Sequence, residues 1–175
     1  MNRFPGLAFM ALLPLITSAQ ERFPAIKGEL ADGRTVELPG HSAADFVLIA
    51  VAAGQRAQPA LEGWYEPAYL RFVAKHGLFA GAYSAEVYFV PLFTGANKAA
   101  YEPSLKRFRK SAAPEVADRV VFVKSDTDEF QRALGLKDRG RPYFFVVDKE
   151  GRILHRTEGE FSDDKLEAIE EVLLR

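Results

Sequence analysis

Two kinds of apolar pattern alternate along this chain, and together they predict its elements. The run Phe46 to Ala52 (FVLIAVA) is apolar without a break, as expected of a central strand covered on both faces. Glu86 to Phe93 (EVYFVPLF) and Val120 to Lys124 read as further strands. Between the first two, Leu61, Trp64, Tyr65, Ala68, Tyr69, Phe72 and Val73 recur every three or four residues. That spacing predicts a helix from Pro59 to about His76, which Pro67 should kink. A second helix is predicted from about Asn97 to Ser111, with Tyr101, Leu105 and Phe108 on one face. Its Lys106, Arg107, Arg109 and Lys110 gather near the end where the helix dipole favours cations.

The remaining segments are shorter. Ala25 to Leu30 and Arg34 to Leu38 flank Ala31-Asp32-Gly33 and predict a β-hairpin. A short helix that Asp126 or Thr127 caps should turn Phe130, Ala133 and Leu134 inward. Tyr143 to Asp148, a turn at Lys149-Glu150-Gly151, and Arg152 to Thr157 read as a second hairpin. Ser162 should cap a closing helix carrying Leu166, Ile169, Val172 and Leu173, with Asp163 and Asp164 in its positively polarised first turn. The order of hairpin, β, α, β, α, β, short α, hairpin, α indicates an α/β sandwich with a mixed central sheet.

Composition narrows this picture. A chain of 175 residues, 48% hydrophobic, suits one compact domain with a core of its own. The formal charge is −1, from 23 basic and 24 acidic residues, and the basic residues form no stripe of the kind nucleic acid requires. The N-terminus differs in character. Leu7 to Ile16 is an apolar run preceded by Arg3 and followed by the small residues Thr17-Ser18-Ala19. This reads as a signal peptide over residues 1–19, cleaved near Ala19, ahead of a single domain over 20–175. An uncleaved anchor is the rival reading. Export places the protein in the periplasm or outside the cell.

There is no cysteine, so thiolate attack, disulfide exchange and thiol peroxidase chemistry are closed to this chain. His41, His76 and His155 lie in different elements without metal-ligand spacing, and no metal or cofactor is expected. Asp126-Thr127-Asp128-Glu129 lacks the later glycine and glutamate of a calcium loop. Neither a Gly-x-Ser-x-Gly elbow nor a glycine-rich phosphate loop is present.

The element order, together with Arg141-Pro142-Tyr143-Phe144-Phe145-Val146-Val147-Asp148-Lys149-Glu150-Gly151, resembles the extracytoplasmic thioredoxin-like and peroxiredoxin-like families over about Phe23 to Leu174. The resemblance implies a thioredoxin-like sandwich with a cis peptide at Arg141-Pro142 beside the first main helix. Arg56 would stand where the attacking cysteine is found and Pro59 at the second, so that Cys-x-x-Cys has become Arg56-Ala57-Gln58-Pro59. A narrower likeness, carried by Ala57 to Pro67, Val90-Pro91-Leu92 with Asn97, and Val146-Val147-Asp148 through Gly159, is to the mitochondrial ATP synthase assembly factors and their bacterial relatives.

These readings select Arg56, Gln58, Trp64, Arg141 and Pro142 as candidate binding residues, with no catalytic residue among them. Trp64, Tyr65 and Tyr69 could wall a peptide site, Trp, Tyr and Arg being the residue types that dominate interfaces, or could pack in the core. The expected function is binding: an exported, redox-inactive module that holds an extracytoplasmic peptide or protein, in assembly or chaperone-like work and in peripheral contact with a membrane complex. The alternative is a non-thiol enzyme or a binder of small anions that uses Arg56 and Arg141 at a helix N-terminus, unless both are ordinary solvated residues or pair with Glu62, Glu66 or Asp138.

Overall fold

The computed structural model describes residues 21–79 and 81–175. The expected signal peptide therefore lies outside the described residues. Among them, no helix is long and apolar enough to cross a membrane.

Strand β3 (Phe46–Ala52) is the centre of the molecule. It pairs in parallel with β4 (Ala85–Pro91) on one side and antiparallel with β5 (Pro142–Asp148) on the other, and β6 (Ile153–Glu158) extends the order to β4-β3-β5-β6. Its unbroken apolar sequence is explained by burial on both faces. Leu48, Ala50 and Ala52 face one core with Val87, Phe89, Phe144 and Val146. Val47, Ile49 and Val51 face a second with Val90, Phe145 and Val147. Helical segments cover the first face, and the N-terminal hairpin with Phe130, Leu134 and Leu136 covers the other.

That hairpin forms as the sequence predicts, from β1 (Ile26–Glu29) and β2 (Thr35–Leu38), with Gly33 at φ 92° in the turn. The segment expected to be the third long strand behaves differently. Val120 to Val123 contributes only isolated bridges, in parallel to Phe89 and Leu92 of the β4 edge and antiparallel to Glu29 of β1. Its hydrogen bonds alternate between two neighbours as those of a strand between two others do, Val121 N donating to Phe89 O at 2.8 Å and Phe122 N to Glu29 O at 2.8 Å, but the bridges on each side are isolated and build no continuous ladder. Gly28 permits the approach, since a Cβ there would lie 2.5 Å from Val121 Cγ1.

The helix expected over Pro59 to His76 is broken. A 3₁₀ turn at Gln55–Ala57 leads into α1 (Gln58–Glu62), and α2 (Tyr65–Ala68) follows only after Gly63 and Trp64. Pro67 has no N–H for the Gly63 carbonyl and its ring crowds that group, so the interruption falls four residues before the proline. A π-helical turn at Tyr69–Val73 then ends the segment, with Ala74 N donating to Tyr69 O and Lys75 at φ 57°.

The second predicted helix appears as a 3₁₀ segment at Gly95–Ala100 continuing into α3 (Tyr101–Ser111), with a short α4 (Pro114–Ala117) after it. In α5 (Asp128–Ala133) Phe130 and Leu134 turn inward, but Ala133 is exposed and Gln131 is buried in its place, donating to Thr127 Oγ1 at 2.9 Å. The last helix, α6 (Asp163–Leu173), starts at the expected cap, where Ser162 Oγ accepts from Lys165 N. Its Glu170 is buried and satisfied by Arg71 Nη1 at 2.6 Å and Tyr83 Oη at 2.8 Å.

Candidate functional site around residues 54–65

The carboxyl ends of β3 and β4 bring three stretches together: Ala53–Pro59, Pro91–Asn97 and the loop 138–141. Open α/β sheets characteristically hold ligands beyond such strand ends. Arg139 ties the three. Its Nε donates to Ala53 O at 3.2 Å and its Nη2 to Thr94 Oγ1 at 2.5 Å. Gly54 lies so tightly beneath that a Cβ would come 2.4 Å from Arg139 O. Asn97, whose N–H donates to Thr94 O, keeps a buried Nδ2 with no partner among the described residues.

The candidate residues fall into separate groups. Arg56 is exposed in the 3₁₀ turn and makes no hydrogen bond or ion pair among the described residues. Arg141 is held by Asp138 Oδ2 at 2.8 Å and Glu158 Oε1 at 3.0 Å, which hold its guanidinium more firmly protonated, while the Gly140 N–H first and Arg141 second lower the Asp138 carboxyl. Of the expected pair of arginines, Arg56 alone is left unmatched. The helix behind it, α1, has five residues, too few for the extended dipole an anion site uses.

Pro142 is buried as the first residue of β5, opposite Ala52 of β3, and its carbonyl accepts from Gly159 N at 2.8 Å. The expected cis bond is not there: Arg141-Pro142 is trans, and the cis bond among the described residues is Leu38-Pro39. Asp138 explains the local path. Its carboxylate accepts from Gly140 N at 2.8 Å and from Arg141 Nε, a turn that delivers the chain already extended into the ladder.

Trp64 takes the core position, one of the two readings open to it, and is not a binding residue. It is fully buried, its ring centroid 4.1 Å from that of Phe144 at a tilt of 33° and edge-on to Phe161 at 5.3 Å, with Nε1 donating to Gly159 O at 3.2 Å. No part of it is available to a ligand; it fastens the α1–α2 segment to β5 and to the entrance of α6.

Gln58 takes a different position, on the wall of a cleft of about 560 Å³ between the α1–α2 segment and α3–α4. The floor is apolar, including Leu61, Phe93, Phe108 and Phe122, and the rim is polar, with Gln55, Gln58, Glu62, Arg107 and Ser111. Tyr65 also lines it, its ring 4.4 Å from Phe89. Burial, reinforced by Glu62, pushes the Tyr65 phenol above its ordinary range, so it stays a neutral hydroxyl. A cleft of this size, apolar beneath and polar at the lip, is typical of small-ligand and side-chain pockets. Among the described residues, no group of histidines and carboxylates converges as a metal site would require.

Sequence reasoning passed over Gly54, Arg139 and the α3–α4 wall of the cleft. The signal for Arg139 in the sequence is the Arg139-Gly140-Arg141-Pro142 run, in which two arginines flank a glycine beside the proline.

No protein-family model and no curated protein sequence matches the chain, so the narrower likeness to assembly factors rests on its short motifs. Solved structures do match. The exposed lipoprotein thioredoxin Etrx1 of Streptococcus pneumoniae superposes with a TM-score of 0.56 at 14% identity, over 85% of this chain and 99% of that one. Peroxiredoxin Q of Xanthomonas campestris gives 0.54 at 16% identity, over 94% and 97%. BsSco, a member of the Sco family of cytochrome c oxidase assembly proteins, gives 0.56 at 14%, over 88% and 92%. At these identities the likeness is one of fold. The chain has a thioredoxin-like fold, and it has no cysteine with which to perform the thiol chemistry that fold can carry.

Proposed function

We propose that this protein is an exported binding module that grips an extended segment of an extracytoplasmic protein in the cleft beside Gln55–Pro59, in assembly or chaperone-like work. The observation that carries the reading is the cleft itself. It opens where the resemblance places the redox motif, yet its walls supply recognition chemistry in place of a nucleophile: aromatic floor, amide and hydroxyl rim, one acid and one base. An extended peptide would lay alternate side chains onto the floor and meet Gln55, Gln58 and Ser111 with its backbone, a division of labour common in peptide recognition. Export is supported by the apolar Leu7–Ile16 segment ahead of the small residues Thr17-Ser18-Ala19.

The test is site-specific photocrosslinking in the native host. A photoreactive residue at Gln58 should give discrete protein adducts, and the same residue at exposed Lys149, at the far end of the sheet, should not. Ser104 of α3 also lines the cleft, and loss of the Gln58 adducts on filling it with Ser104→Trp, in a variant that melts normally, would tie them to the cleft. Adducts of equal pattern from both positions, or none at Gln58, would defeat the reading.

A further inference from the structure

Among the described residues, the large apolar side chains classed as exposed are Leu78, Phe79 and Leu174, and all three line one groove. Leu78 is 98% exposed, Phe79 48% and Leu174 39%. The groove, about 440 Å³, runs between the Gly77–Phe79 stretch and the carboxyl end of α6, with Arg71, Glu167, Glu170 and Glu171 completing its walls. Isolated exposed leucines are unremarkable, but convergence on one concavity rimmed by polar groups marks an interaction surface.

Other local features around it run against ordinary preference. The helix leading in ends in a π turn, and Lys75 holds a left-handed φ of 57° without being glycine; both are features that gather at functional sites. At the other wall, the last turn of α6 carries Glu170 and Glu171 and no basic residue, although the helix dipole disfavours acids there. Glu170 is neutralised by Arg71. Glu167 and Glu171, four residues apart on one exposed face, have no ion pair among the described residues.

From these features we infer that the groove docks a basic amphipathic helix of a partner protein, burying that helix's apolar anchors against Leu78, Phe79 and Leu174 and pairing its lysines or arginines with Glu167 and Glu171. Charge decides among occupants. A bilayer bearing anionic headgroups would meet the two unmatched carboxylates that line the groove and the negative end of α6, with Lys75 and Arg175 only beside it, whereas a cationic helix is attracted by the lining carboxylates and the helix end. Helix-in-groove docking also requires what is present here, a short apolar trough with charges along its lip.

The inference is independent of the cleft reading, since the groove and the cleft share no lining residue. The probe is a fluorescein-labelled Leu–Lys amphipathic helix of about five turns, or roughly 18 residues, titrated with the mature chain and followed by anisotropy. A scrambled peptide of the same composition and a Leu–Glu counterpart serve as controls. Binding of the Leu–Lys helix alone is expected, weakened about tenfold or more by Leu78→Ser/Phe79→Ser and again by Glu167→Gln/Glu171→Gln, and weakened by added salt. All four positions are exposed, and equal melting temperatures would confirm that the variants fold. Undiminished affinity in both variants, equal binding of the scrambled peptide, co-sedimentation with phosphatidylglycerol/phosphatidylcholine vesicles that the serine variant abolishes, or a parent dimer that the serine variant dissolves would each overturn it.

Discussion

Replacing Trp64 distinguishes a structural indole from a ligand-binding one, because the first predicts a large loss of stability and the second almost none. Trp64 is fully buried between Phe144 and Phe161 and donates to Gly159 O. Truncating a buried tryptophan to alanine costs about 3–5 kcal/mol. Two components of that loss are visible: each aromatic pair contributes roughly 0.5–1.5 kcal/mol beyond its area, and the hydrogen bond about 0.5–1.5 kcal/mol. Gly159 is only half-buried, so water can reach its carbonyl and the hydrogen-bond share belongs at the low end. Trp64→Phe retains most of the ring contact and should cost about 1–2 kcal/mol. In a domain of this size about 1 kcal/mol moves the melting temperature by roughly 2–4 °C, so Trp64→Ala should melt on the order of 10 °C early. Urea unfolding followed by far-UV circular dichroism measures both variants, the slope remaining constant if only stability changes. As the chain's sole tryptophan, Trp64 also reports on itself: the parent's emission should be blue-shifted and poorly quenched by acrylamide. A Trp64→Ala variant within about 1 kcal/mol of the parent, or quenching as efficient as for free indole, would refute the packing argument and return Trp64 to the surface.

Three further outcomes follow from the same geometry. Arg71→Ala leaves the buried Glu170 carboxylate with Tyr83 alone and should cost about 2–3 kcal/mol, discounted from a fully buried pair because Arg71 is partly exposed; adding Glu170→Gln should recover much of it in a double-mutant cycle. Gly54→Ala places a methyl 2.4 Å from Arg139 O, so the 138–141 loop must shift, costing roughly 1–3 kcal/mol and releasing the Arg139 bond to Thr94, which amide exchange in that loop would show. Burial, with the Arg175 charge adding, holds the His155 imidazole below its ordinary value of 6.5, and its Nε2 is buried without a partner among the described residues. Because the folded state then binds its proton only at lower pH than the unfolded chain, this stability is complete above pH 6.5 and is lost as pH falls through the folded value. Melting temperatures from pH 7.5 to 5 should therefore decline more steeply for the parent than for His155→Leu.

What could be read from the sequence is what local periodicity controls. Phe46 to Ala52, the hairpin around Gly151 and the helix after Ser162 each carry one unambiguous pattern, and each forms where expected. The errors share a different cause, contacts between residues far apart in the chain. The spacing of Trp64 and Tyr65 suits any helix, but only the position of β5 decides that Trp64 is enclosed while Tyr65 reaches the cleft. Pro67 announced a disturbance, yet its effect is expressed at Gly63, whose carbonyl the ring displaces. Val120 to Val123 has the composition of a strand, and its division between β4 and Glu29 depends on how closely Gly28 lets β1 approach. Pairing of Arg141 with Asp138, three residues away, is within reach of a sequence reading, whereas Glu158 reaches it from a neighbouring strand and is not.

The two candidate surfaces are mechanically separable, and this constrains how they could work together. The cleft opens between the α1–α2 segment and α3–α4 beside β4, the groove lies by the stretch that leads into β4 and the end of α6, and the two share no lining residue. The seven paired positions between β3 and β4 are flanked by two cores, and such packing resists continuous deformation. Coupling between the surfaces would need an element with two discrete arrangements. The segment reaching from Gln58 to Val73 spans both, but Trp64 pins its middle to Phe144 and Gly159. Leu78→Ser/Phe79→Ser should therefore leave Gln58 crosslinking unchanged, and the same comparison in Trp64→Phe, where the pin is weakened, is where dependence of one surface on the other would first emerge.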